Sequence, residues 1–226
     1  MVAPSFVSGL SAFTESMSSQ ILYTFGRYQP EQANLLRLSA AQYISLARQH
    51  GIPVISYFCG LSAEAPPPGR TRESVELSSL LYSLIRQAVD LFPAEFTATS
   101  LDLTEERFAT LDGTLRTWRQ AINLFTDLVN CLQLPLLLFV LDGLNLLEDD
   151  FERSTSAKVG ELVRELVGLV DGPGGGGRKG LGIVKALFTS AGSSTELCRE
   201  LDSGRVVACG GANSPRTPRT GRQFFL

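Results

Sequence analysis

Four short apolar stretches punctuate this chain, and the intervals between them carry apolar residues at helical spacing. Ile21-Leu22-Tyr23-Thr24-Phe25 reads as a strand ending at Gly26. Residues 53–59, Pro53-Val54-Ile55-Ser56-Tyr57-Phe58-Cys59, are β-branched and aromatic between turn residues, the signature of a buried strand. Residues 134–141 are almost continuously apolar, entered through Pro135 and terminated by Asp142-Gly143. A run apolar on both sides of the pleat is typical of a central parallel strand. Residues 183–189 predict a fourth strand.

Helices are expected between them. Leu35, Leu38, Tyr43, Leu46 and Ala47 share a helical face over 35–49, stopped by His50-Gly51 and Pro53. A strongly amphipathic helix over 73–91 places Leu77, Leu80, Leu81, Leu84, Ile85 and Ala88 on one side. Another over about 114–132 buries Leu115, Trp118, Ile122, Phe125 and Leu128. Residues 156–170 and 193–201 complete the set. Strands alternating with helices imply a three-layer α/β domain with a mostly parallel sheet, covered on both faces.

The expected domain runs from 20 to 203. Before it, residues 1–19 are rich in Ser and read as a loose, disordered arm. Within it, residues 172–182 form a flexible Gly-rich insertion. After it, residues 204–226 carry Ser-Pro, Thr-Pro and scattered arginines, the composition of a disordered basic tail. A net charge of −3 gives no reason to expect nucleic acid or an anionic membrane as partner. No apolar run approaches the ~20 residues of a spanning helix. Residues 1–20 lack the basic start of a secretory signal. Cys59, Cys131, Cys198 and Cys209 form no close pairs; with Cys59 and Cys131 in or beside apolar segments, buried free thiols in a reducing cytoplasm are expected.

Asp142 carries the most informative chemistry. A carboxylate at the carboxyl end of a buried parallel strand sits where such sheets bind ligands. There it can hold Mg²⁺, or a water of that ion, against the phosphates of a nucleotide. The competing reading is that Asp142-Gly143 merely turns the chain out of the strand; spacing alone leaves both open. Three other segments are better explained structurally. Leu111-Asp112-Gly113-Thr114 matches half of a D-x-D-G-T phosphatase motif, but Thr110 stands where its nucleophile belongs, and a helix cap suffices. Gly172–Gly177 with Arg178-Lys179 precedes a strand rather than a helix. The single histidine, His50, excludes multi-histidine metal sites and suits a helix C-terminus.

The strand followed by Asp142-Gly143-Leu144 resembles the Walker B segment of NACHT-type (STAND) P-loop NTPases, and Val184 to Ser190 resembles their sensor strand, which ends in a Thr-Ser pair. Residues 53–59 and Phe108-Ala109-Thr110-Leu111-Asp112-Gly113-Thr114 with Trp118 are similar to segments of NACHT-like domains in large fungal multidomain proteins. The resemblance covers roughly residues 21–201, in order. It implies a P-loop NTPase-like fold, ATP or GTP with Mg²⁺ as cofactor, and a site built from Asp142, Arg37, Ser39, Thr189 and Ser190, with Asp142 as the Mg²⁺ ligand.

The departures define the expected function. A phosphate-binding loop needs G-x-x-x-x-G-K-[ST], with glycines so that backbone N–H groups face phosphate. Residues 26–39 offer one glycine, no lysine and Pro30, with Arg37 and Ser39 as the available substitutes. The acidic positions after Gly143 hold Asn145 and Leu146, while Glu148 and Asp149 come too late. Ala191-Gly192 replaces the arginine that follows Thr-Ser in the family. The reading is a degenerate nucleotide-binding module with a regulatory or assembly role and weak or no NTP hydrolysis. Its partners would be proteins or further domains of a larger chain. The alternative is a nucleotide-free α/β protein-interaction domain or a truncated fragment of a larger STAND protein.

Overall fold

The structure is a computed structural model that describes residues 4–26, 30–93, 103–148, 153–172 and 182–209, with 30–33 and 153 described in backbone only. Five strands form one all-parallel sheet: β1 (Gln20–Gly26), β2 (Val54–Phe58), β3 (Leu136–Asp142), β4 (Ile183–Ala191) and β5 (Val206–Cys209), in the order β2-β3-β4-β1-β5. Helices cover both faces, so the fold is the expected three-layer, P-loop NTPase-like α/β class.

Strand alternation explains the continuous apolar runs. Leu137, Phe139 and Leu141 of β3 face one layer, while Leu138 and Val140 face the other. The first layer holds α3 (Arg72–Asp90), α5 (Trp118–Cys131), α6 (Arg153–Asp171) and α7 (Thr195–Glu200). The short α4 (Glu105–Ala109) lies on the path between α3 and α5, and Phe108 packs against the same core. The second layer is α1 (Pro4–Glu15) and α2 (Pro30–Gln49), with Phe13, Ala40, Ile44 and Ala47 against Leu22, Leu138, Val140 and Leu187.

Local signals set the helix ends. Thr71 and Ser74 make a reciprocal capping box at the start of α3. Gly51, with φ of 70°, turns the chain out of α2 toward β2. At Gly182 only glycine fits: a Cβ there would lie 2.2 Å from the Pro135 carbonyl oxygen, because that carbonyl accepts the Ile183 N–H where β4 joins β3. We expect Gly182→Ala to lower stability by about 1–3 kcal/mol, measured by urea denaturation, since the backbone must move to admit the methyl group.

Two sequence expectations are corrected. Residues 4–15 are a helix rather than a loose arm, because Phe6 and Phe13, seven residues apart, both reach the core. The boundary at 204 cuts off β5, which pairs with β1 through Tyr23↔Val206 to Gly26↔Cys209. Four residues carry too little periodicity to announce a strand, and their partner lies far back in sequence. Residues 173–181 of the insertion expected at 172–182, and the tail from 210 onward, lie outside the described residues. Among the described residues no helix is long and apolar enough to cross a membrane. All four cysteines are free; Cys59 is buried as expected, while Cys131 is only half-buried.

Candidate functional site

The chain leaves β1 into α2 on one face of the sheet and leaves β4 into α7 on the other. β1 and β4 are neighbours, so their carboxyl ends flank the switch point at which open parallel sheets bind ligands. The carboxyl end of β3 lies beside them, and register sets Asp142 against Thr189 and Gly26 against Ala191.

Asp142 is buried there. Its Oδ1 accepts a hydrogen bond from the Thr189 hydroxyl at 2.6 Å, and its Oδ2 faces the Arg37 Nε at 3.7 Å. Arg37 projects from α2, half exposed, with its guanidinium 5.5 Å from the Phe58 ring centroid and an N–H directed at the Phe58 carbonyl oxygen at 3.5 Å. Three of the five sequence-predicted residues therefore meet: Asp142, Thr189 and Arg37. Ser39 and Ser190 do not join them. The Ser39 hydroxyl donates to the Leu35 carbonyl one turn back in its own helix, at 2.8 Å. Ser190 donates to the Gly192 carbonyl at 2.6 Å and shares a 2.9 Å hydrogen bond with the Tyr23 hydroxyl.

Burial pushes the Asp142 carboxyl above the usual carboxylate range, against the opposing pull of the Thr189 hydrogen bond and the Arg37 charge. The folded state therefore holds the Asp142 proton more tightly than the unfolded chain does. Asp142 contributes stability that is full below the unfolded pKa and lost as pH rises through the raised folded value. Asn keeps an acceptor for Thr189 without the charge. We expect Asp142→Asn to gain stability relative to the parent as pH rises from about 4 to 7, measured by denaturant titrations at each pH. A difference that stays flat or reverses would remove the burial argument.

The β1–α2 connection is short. Gly26 ends the strand and Pro30 opens the helix, so only residues 27–29, which lie outside the described residues, stand between them. Counted from Gly26, the G-K-[ST] positions of a phosphate loop fall on Glu31, Gln32 and Ala33, already in α2.

The segment after Gly143 is committed to structure. Gly143 takes φ of 80°, and its N–H bonds the Thr189 carbonyl at 2.8 Å, so Asp142-Gly143 does turn the chain. The Asn145 amide donates to the Ala191 carbonyl at 2.8 Å, and its Oδ1 is buried with no partner among the described residues. Glu148 caps α7: its carboxylate accepts from the Ser194 hydroxyl, from the Thr195 N–H at 2.7 Å and from the Glu196 N–H at 3.2 Å. Beneath it the Tyr23 hydroxyl accepts the Ser194 N–H at 2.7 Å, and burial pushes its pKa up to about 12.

Sequence reasoning missed Tyr23, Glu148 and Lys185. Lys185 left a signal: an ammonium group inside an apolar central strand requires a buried partner. The phosphatase-like segment is a turn, with the Asp112 Oδ1 accepting from the Thr114 N–H and from the hydroxyls of Thr114 and Thr117.

No family model and no curated protein matches this chain. The function therefore rests on the site. Mg²⁺ takes octahedral oxygen ligands and keeps several waters. Here one oxygen of the Asp142 carboxylate is held by Thr189, a guanidinium faces the other, and the candidate hydroxyl on α2, Ser39, is turned into its own helix. Among the described residues no group of three or more acidic, His or Cys side chains gathers as a metal site. This donor set suits an internal ion pair better than a magnesium ion.

Proposed function

We propose that this chain is a degenerate NACHT-like module with a regulatory or assembly role and weak or no NTP hydrolysis, working in the cytoplasm on protein partners or on other domains of a larger chain. The observation that carries the reading is the Arg37–Asp142–Thr189 cluster: a guanidinium stands against the one carboxylate that a nucleotide-bound Mg²⁺ would need. Hydrolysis also needs a group that orients the attacking water. Asn145 is spent on the Ala191 carbonyl and Glu148 on the start of α7.

Calorimetric titration with ATP and Mg²⁺, followed by a turnover assay, tests the reading. The expected result is no turnover above the protein-free rate. Micromolar binding with turnover that Asp142→Ala abolishes would overturn the degenerate assignment. The ion pair also favours a second reading, a nucleotide-free interaction domain; saturable ATP or GTP binding without turnover would exclude it.

Restoring the missing acid does not restore the enzyme. Asn145→Asp removes the N–H donor to Ala191 and sets a carboxylate against a carbonyl. The expected outcome is a loss of about 1–3 kcal/mol in chemical denaturation, with hydrolysis still at background.

A further inference from the structure

A cavity of about 350 Å³ opens among the first turns of α3 and α6 and the 3-10 turn Leu115–Thr117 that leads into α5. Arg70, Arg116 and Lys158 line it, together with Thr71, Thr114 and Ser154. It shares no lining residue with the Asp142 cluster.

Its lining is cationic and includes no carboxylate. The chain is net acidic, and Arg37, Arg86, Arg107, Arg119, Arg164, Arg199 and Arg205 each pair with a carboxylate. Arg70, Arg116 and Lys158, like Arg48 and Arg72, have no such partner among the described residues; Lys158 reaches only the Ser154 carbonyl oxygen, at 3.5 Å. Arg116 acts on Asp112 at longer range, but that carboxylate already accepts hydrogen bonds from Thr114 and Thr117. Glu73, on the first turn of α3, is not part of the lining.

Three cations line one cavity with no carboxylate in its lining, and a bound anion offsets their charge. Arginine forks and a lysine ammonium suit the oxygens of a phosphoryl group. The N-terminal turns around the cavity add partial positive charge of the same sense. The volume falls within the roughly 300–1,000 Å³ of small-molecule sites, and Leu115 supplies apolar wall. We propose that this cavity binds a small phosphomonoester, with its phosphate held by Arg70, Arg116 and Lys158 and its carbon skeleton against Leu115.

The test is calorimetric titration with inorganic phosphate and with glycerol 3-phosphate, at ionic strength held constant with chloride. Saturable binding is expected, with glycerol 3-phosphate tighter than inorganic phosphate. The double variant Arg116→Gln/Lys158→Gln should weaken both by at least about tenfold. Arg48→Gln, which removes a cation with no carboxylate partner among the described residues elsewhere on the surface, should leave both unchanged, and so should Asp142→Ala. The last variant separates this site from the nucleotide reading. Circular dichroism confirms that each variant is folded. Absence of saturable binding to the parent protein, an unaffected double variant, or equal weakening by Arg48→Gln would each overturn the proposal.

Discussion

Replacing Phe139 with alanine should lower the unfolding free energy by about 3–5 kcal/mol, the range for deleting a fully buried aromatic ring. Phe139 has no exposed surface and lies mid-way along β3, between Ile55 of β2 and Ala186 of β4. Its ring meets the Phe125 ring edge-on, with centroids 6.1 Å apart at 72°, which ties α5 to the sheet. Ala186 is small, so no neighbour on β4 can swell into the space, and the cavity adds to the lost transfer energy. Urea denaturation with an unchanged m-value measures the effect. Phe139→Leu should cost distinctly less, and a loss below about 1 kcal/mol in the alanine variant would show that this packing does not hold the sheet.

The second large effect is expected at Lys185. This lysine points from β4 into the layer of α1, where its ammonium donates to the carbonyls of Phe13 at 2.5 Å, Thr14 at 3.1 Å and Ser16 at 2.7 Å, and lies 5.3 Å from the Phe13 ring centroid. These are carbonyls at the C-terminal end of a helix, which lack partners within it. Burial lowers the lysine pKa, and the three carbonyls supply the compensation that a buried ammonium requires. Lys185→Met keeps the apolar stem and removes every one of these bonds. The expected loss is about 2–4 kcal/mol. It is capped by the docking energy of α1, because beyond that the helix detaches and water satisfies its carbonyls. Hydrogen exchange separates the two contributions: the α1 amides should lose protection more than those of β3. Equal protection of α1 in parent and variant would refute the anchoring role.

Much of the sheet was legible before the structure. The strands expected at 21–25, 53–59, 134–141 and 183–189 fall within two residues of β1, β2, β3 and β4 at every end. Their apolar runs reflect burial on both faces, a property each run carries by itself. The amphipathic stretches that became α3, α5 and α6 were equally plain. The failures have a common cause. α1 has only two large residues in the core, and its end is secured by a lysine 169 or more positions away in the chain. β5 consists of four residues that acquire meaning only beside β1.

The candidate site divides along the same line. Asp142 was visible because its place at the end of an apolar strand is a one-dimensional fact, and register with β4 then brings Thr189 to it. Ser39 and Ser190 looked equivalent in sequence, yet local carbonyls claim both hydroxyls. No spacing rule could announce that Glu148 would cap α7, since 46 to 48 residues separate the partners.

By itself the sequence determined β1 to β4 and the amphipathic helices α2, α3, α5 and α6, because hydrophobic period and turn residues act over a few positions. It also determined that no complete phosphate-binding loop is written between β1 and α2. Tertiary structure alone decided the order β2-β3-β4-β1-β5, the docking of α1 and the pairing of Arg37 with Asp142. Those depend on contacts between residues distant in the chain, whose energies arise only once the two layers close on the sheet.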